Sequence, residues 1–203
     1  NGNEALTGHS GLALIGALLN NRTNLKERLN GVVLPDLPCP KIAHSDIVFS
    51  MTGLISLGKP DYDAIEPFRG DAFFQTSLDL GTVPSSATVR QRLDVVKGQF
   101  DTIIKEASIS LIRATARVIT PLLTEQGRLI PLDIDVSPFD NSRTQKEGVS
   151  RTYKGHDGFA PIFAYLGREG YLVNTELREG KQHCQKGTPD FLRETIKYAK
   201  EIT

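Results

Sequence analysis

Two aspartates one residue apart, Asp133-Ile134-Asp135, stand inside the alternating run Leu129–Val136. Alternation along a strand sends both carboxylates to one face and Leu132, Ile134 and Val136 to the other. Carboxylates placed that way repel each other and lose solvation, unless they sit in water at a sheet edge or a divalent cation neutralises them. Mg2+ (or Mn2+) takes hard oxygen ligands and usually one or two carboxylates per ion. A pair of such ions serves phosphodiester chemistry by stabilising both the attacking and the leaving oxygen. From spacing alone, a solvated pair and a metal-binding pair both stand.

Two other constellations point toward nucleic acid. In Ala72–Leu93, two short helical runs flank a turn containing Gly81, the pattern of a helix-turn-helix. Its second helix would offer Thr88, Arg90 and Arg92 to phosphates and base edges, with Ser85 or Ser86 capping free N–H groups suited to a phosphate. The alternative is an ordinary helical hairpin with solvated arginines. The second constellation runs from Asp140 to Gly158, polar and glycine-punctuated, with Arg143, Lys146, Arg151 and Lys154 as its cations and Tyr153 available to stack. Composition alone equally allows a solvated loop. His183-Cys184 lacks the second Cys and His of a zinc site and any base-and-orienter set, so a structural role is expected for it.

The elements that must position these residues change character along the chain. Helical spacing prevails to about residue 125. It predicts helices over Gly11–Asn20, Leu25–Leu29, Ser45–Ile55, Asp71–Leu80 and Ser85–Val95, and a long one over Gln99–Leu123. Three prolines within residues 34–40 make a rigid connector. Beyond Gly127, strands are predicted over Leu129–Val136, Phe159–Leu166 and Tyr171–Leu177. The last two are joined as a hairpin by residues 167–170. A closing helix opens at Pro189 with Thr188 as its cap. The expected domains are 1–125, helical and DNA-binding, and 126–203.

Composition removes several classes. The chain has 203 residues, 24 Lys+Arg against 24 Asp+Glu, and 39% hydrophobic residues, the profile of a soluble globular protein. Residues 1–83 hold six Lys/Arg against nine Asp/Glu and residues 84–203 eighteen against fifteen, so a polyanion partner suits the back part better. No apolar run approaches the roughly 20 residues of a membrane span. The start has no signal-peptide pattern, and two distant cysteines suit reduced thiols, so a cytoplasmic location is expected. The single Met is Met51, and a piece of a longer protein is expected.

The run LDIDVSPFDNSRTQKEGVSRTYKGHDGFAPIFAYLGREGYLVNTELREGKQHCQKGTPDFL at 132–192 resembles the bacterial insertion-sequence transposases of the DDE type, more narrowly their DDE domain group one. GHSGLALIGALL and FRGDAFFQTSLDLGTVPSSATVRQRLD in the front half agree with it. The resemblance implies an α+β chain: an all-helical N-terminal region followed by the first strands and a helix of a ribonuclease-H-like α/β domain, incomplete. It implies a first catalytic carboxylate at Asp135, in Asp135-Val136-Ser137, with Asp133 as the alternative or as a supporting group. Implied partners are the double-stranded DNA of transposon ends and a possible homodimer, with no membrane. The family's second Asp and its Glu fall on later elements. Asp157, Glu176 and Asp190 do not sit in matching motifs, so the expectation is an inactive fragment. A non-catalytic DNA-binding module and an assembly fragment with open strand edges are the alternatives.

Overall fold

Helices occupy the front of the chain and antiparallel strands the back, with a closing helix, an α+β arrangement. The computed structural model describes residues 7–96, 98–116 and 118–203. They fall into two compact units, Asn1–Leu111 and Ile112–Thr203.

The first unit contains α1 (Leu12–Arg22), α2 (Leu25–Asn30), α3 (His44–Ser56), a 3-10 helix (Tyr62–Phe68), α4 (Ala72–Ser77), α5 (Ser86–Val96) and most of α6 (Asp101–Thr115). Leu12, Leu29, Phe49, Leu54, Ile65, Phe74 and Leu78 are buried together, and the rings of Phe68 and Phe74 stack 4.5 Å apart. Gly16 lets α1 lie directly on the end of α4. A Cβ there would fall 1.7 Å from the carbonyl oxygen of Ser77, so only glycine fits.

The first turn of α3 is polar and buried, and each of its residues holds a different element. The Ser45 backbone N–H donates to Oδ1 of Asn30, and the Asn30 amide donates to the Ser45 hydroxyl, both at 3.0 Å, which ties α2 to α3. Asp46 accepts from the N–H groups of Gly81 and Thr82 at 3.2 and 3.0 Å and so fixes the turn between α4 and α5. His44 meets Arg92 of α5. Buried polar groups that each bond a different element favour one arrangement of helices.

In the second unit β1 (Leu122–Thr124) and β2 (Gly127–Leu129) form a hairpin. The main sheet has the order β3-β7-β8, from Leu132–Val136, Ile162–Leu166 and Tyr171–Glu176. A small sheet has the order β4-β6-β5, from Phe139–Asp140, Asp157–Phe159 and Ser150–Arg151. Helix α7 (Thr188–Ile202) packs on the main sheet, where Asn174 donates to Glu194 and Thr195, both at 3.0 Å. Ile134 pairs with Ala164 and Ala164 with Asn174, so these three lie on the α7 face. Asp135 and its partner Phe163 lie on the other.

Four expectations need correction. The long helix stops at Thr115 rather than at Leu123, and Leu122–Thr124 is a strand. The strand expected over Leu129–Val136 breaks into β2 and β3 around Pro131, which has no N–H to give a ladder. The polar segment 140–158 contains the small sheet, whose two- and three-residue strands are too short to leave a period. Thr188 is the first residue of α7 rather than its cap. Gly187 takes the cap position at φ 76°, and the Thr188 hydroxyl donates back to the Cys184 carbonyl.

Candidate functional site

Strand β7 runs antiparallel to both β3 and β8, so β3 and β8 run the same way and end at the same end of the sheet. Asp135 lies at that end of β3. The segment 137–161 leaves from β3 there, and 177–187 leaves from β8 toward α7. These segments border a cleft of about 810 Å3 lined by Arg151, Thr152, Tyr153, Lys181, His183, Cys184 and Thr188, with Ile134, Val136 and Ile162 as its apolar part; Asp135 borders it along β3, with its side chain on the opposite face of the strand.

Asp135 is exposed, and its Oδ2 accepts a hydrogen bond from the Ser137 hydroxyl at 2.9 Å. That contact fixes the carboxylate while leaving its second oxygen open, a physical reason for the Asp-x-Ser spacing. Asp133 is exposed two residues earlier on the same face, opposite Tyr165. Two exposed carboxylates suit the hard-oxygen preference of Mg2+, which takes its remaining ligands from water and phosphate. Among the described residues no group of three His, Cys, Asp or Glu is placed to hold a metal. Asp133 and Asp135 stand as a pair of exposed carboxylates, the donor type that Mg2+ takes.

The walls of the cleft are tied down by backbone contacts. Tyr153 Oη donates to the Val136 carbonyl at 3.2 Å, which draws the 137–161 segment back over β3. Gly180 lies against the small sheet so closely that a Cβ would fall 2.0 Å from the Ser150 oxygen and 2.4 Å from that of Gly158. The Lys181 N–H donates to the Ser150 hydroxyl at 3.0 Å. Arg178 is buried, with Nε on Glu176 at 2.7 Å and Nη1 on the Cys184 carbonyl and Thr188 hydroxyl at 3.3 and 3.0 Å. Asp140, outside the cleft, has its pKa lowered from the ordinary carboxylate value chiefly by the Ser142 hydroxyl and N–H.

Of the cations expected on this segment, Arg151 reaches the cleft, where it also lies 3.6 Å from Asp157. Arg143, Lys146 and Lys154 are exposed on the same segment outside its lining. His183 and Cys184, expected to be structural, stand exposed on its wall. Nothing in sequence spacing links them to Asp135, because the parallel course of β3 and β8 is what brings them together.

In the first unit α4, its turn and α5 form the expected pair of short helices. The Ser85 hydroxyl accepts from the Thr88 N–H at 3.2 Å and caps α5. The N–H of Ser86 is already used, donating to Oε1 of Glu66 at 2.7 Å. Arg90 is exposed, 3.8 Å from Asp63, with its guanidinium 5.6 Å from the Tyr62 ring centre. Arg92 is not beside it on the surface. It is buried, and Nη1 donates to the Ile42 carbonyl at 3.1 Å and lies 2.8 Å from His44 Nδ1. Its expected DNA contact is replaced by a packing role, since residues two apart on a helix face different ways. Gln91 is exposed in its place, next to Arg90.

No described helix is long and apolar enough to cross a membrane. In comparison with known proteins, the family model described as transposase DDE domain group 1 matches residues 1–202. No curated protein and no solved structure matches the chain. With a match along nearly its whole length, and an exposed Asp-x-Ser carboxylate at the end of a strand, the chain belongs to the transposase DDE domain group 1 family.

Proposed function

We propose that this chain supplies the DNA-binding helices and the first metal-ligating carboxylate of a transposase that cuts and rejoins phosphodiester bonds at insertion-sequence ends. The observation that carries the reading is Asp135, exposed at the end of β3 with its carboxylate oriented by Ser137, on a strand that borders the cleft holding Arg151. Asp135, with Asp133 beside it, would hold Mg2+ or Mn2+. The chemistry a pair of divalent cations supplies there is stabilisation of the attacking and leaving oxygens of the transferred phosphoryl group. The side chains of this chain bind and orient. Ser85, Ser86, Thr88 and Arg90 face DNA from α5, and Arg143, Lys146, Arg151 and Lys154 neutralise backbone phosphates near Asp135. A cytoplasmic site of action goes with this reading.

A second reading has one observation in its favour: no third metal-ligating group joins Asp133 and Asp135 among the described residues. Under it the 203-residue chain binds DNA without cutting it. Fluorescence anisotropy with duplex DNA over a salt series, beside a plasmid-nicking assay with Mg2+ or Mn2+, tests the DNA binding and the cutting separately. Salt-sensitive affinity that survives Asp135→Ala, without nicking, is expected of this chain. Metal-dependent nicking would show that its own carboxylates suffice, and affinity indifferent to salt would remove the DNA-binding reading.

A further inference from the structure

The wall of the cleft facing Arg151 is built by Lys181–Gln185, residues to which the family assignment gives no role. We propose that this wall grips the backbone of one DNA strand in the cleft beside β3, with Lys181 and His183 on one side and Arg151 on the other, so that the strand runs on toward the end of β3 that carries Asp135. The proposal rests on the transposase reading and extends it to the residues that position the substrate.

Charge is the first reason. A polyanionic strand settles in a cleft only where cations offset its charge. Arg151 and Lys181 are the cations of the lining, and both are exposed. Their partners Asp157 and Glu179 stand 3.6 and 3.5 Å away in water, contacts that a phosphate displaces at little cost.

Hydrogen-bonding capacity is the second. The Gln185 N–H donates to Nδ1 of His183 at 3.3 Å, so the neutral imidazole carries its proton on Nε2. His183 therefore presents a donor whether neutral or protonated, which suits a phosphate oxygen and not a cation.

Rigidity and shape are the third. Gly180, the Lys181 N–H and buried Arg178 fix the backbone of the wall from three directions, so its side chains are held in place before DNA arrives. Ile134, Val136 and the exposed Tyr153 ring give sugar and base an apolar surface beside the phosphate contacts.

Cys184 sits in the same wall with an exposed thiol, and Cys39 is the other cysteine of the chain. In a Cys39→Ser background, alkylation of Cys184 by N-ethylmaleimide reports directly on occupancy of the cleft. The probe is a mixed-sequence oligonucleotide, single-stranded and as duplex, with binding followed in parallel by anisotropy. Bound DNA is expected to suppress alkylation. Adding Lys181→Ala and His183→Ala should restore alkylation and lower the salt slope by about 1, since one full phosphate cation is lost. DNA that binds while Cys184 reacts at its free rate overturns the cleft proposal and leaves DNA binding standing. Failure of the chain to bind either oligonucleotide at low salt overturns both. Circular dichroism of the double variant, altered only at exposed side chains, separates lost contact from lost fold.

Discussion

Arg92 of α5 reaches back to His44 at the first turn of α3, with Nη1 2.8 Å from the imidazole Nδ1 and 3.1 Å from the Ile42 carbonyl. Both side chains are buried. Burial and the adjacent guanidinium together push the His44 pKa below its ordinary value, so the ring is neutral and Nδ1 accepts. Arg92 thus fixes the rotation of α5 about its axis, and that rotation turns Arg90 and Gln91 outward.

Arg92→Ala is expected to destabilise the chain by about 2–3 kcal/mol, from a lost charged hydrogen bond and an unfilled space. Arg90→Ala should leave stability within about 0.5 kcal/mol, as for exposed positions, and weaken DNA binding instead. Urea unfolding of both variants beside anisotropy makes the comparison. Equal stability losses would show that the two arginines are not divided into packing and contact.

The same pair sets a pH dependence. A histidine whose folded pKa lies below its unfolded value of 6.5 binds fewer protons when folded. Its contribution to stability is present above pH 6.5 and is lost as the pH falls through the lowered folded value. Glu66 and Glu169 are shifted down from 4.5 and Asp140 from 3.8, so their contributions are lost only at more acidic pH. The urea midpoint should therefore begin to fall below pH 6.5, and His44→Gln should flatten that first limb alone. A wild-type midpoint constant down to the carboxylate range would disprove the assignment.

What the sequence made legible follows physical range. The helices of the front, the β7–β8 hairpin and α7 are written in local periods and turn residues, and all of them form. The pairing of Asp135 with Ser137 is equally local. The 3-10 helix around Pro67 and the two-residue strands β4 and β5 are too short for any period to register. Arg92 and Arg90 carry the same chemistry in sequence, and only the packing of α5 on His44 assigns them opposite roles. The approach of Lys181–Gln185 to Asp135 depends on strand direction in the folded sheet, a property no local pattern contains.

Asp135 touches little besides Ser137, so Asp135→Ala should change stability by no more than about 0.5 kcal/mol. Its effect belongs to cation binding. Paramagnetic broadening by Mn2+ of amide signals around residues 133–137 is expected in the parent chain and should be lost in the variant. Asp133→Asn should weaken it less, because Asp133 lacks the hydroxyl that orients Asp135. Equal broadening in all three proteins would place the ion elsewhere.

Glu66 sits on the N–H of Ser86 at 2.7 Å, where a DNA phosphate would otherwise meet the start of α5. That N–H, followed by Arg69, holds the carboxyl below its usual range, so it is charged at neutral pH. Glu66→Gln keeps a carbonyl for Ser86 and removes a charge that repels phosphate. DNA affinity should rise at low salt, and the gain should shrink as salt screens it. An unchanged affinity, with Arg90→Ala still weakening binding, would reduce Glu66 to a cap.

Arg178 and Gly180 carry the wall of the cleft without entering it, and their substitutions separate support from contact. Arg178→Ala removes charge-assisted bonds to Glu176, the Cys184 carbonyl and Thr188, a loss on the order of 3 kcal/mol. Gly180→Ala forces a methyl group against the Ser150 and Gly158 carbonyls, so the segment must move off the small sheet. Either change should increase hydrogen exchange across residues 178–188, while the amides of α3 and α5 in the first unit stay protected. Because the wall then no longer faces Arg151, bound DNA should protect Cys184 from alkylation less well, although Lys181 and His183 are both intact. Retained protection in both variants would mean that DNA itself orders the wall, and the preformed backbone would not be what positions Lys181 and His183.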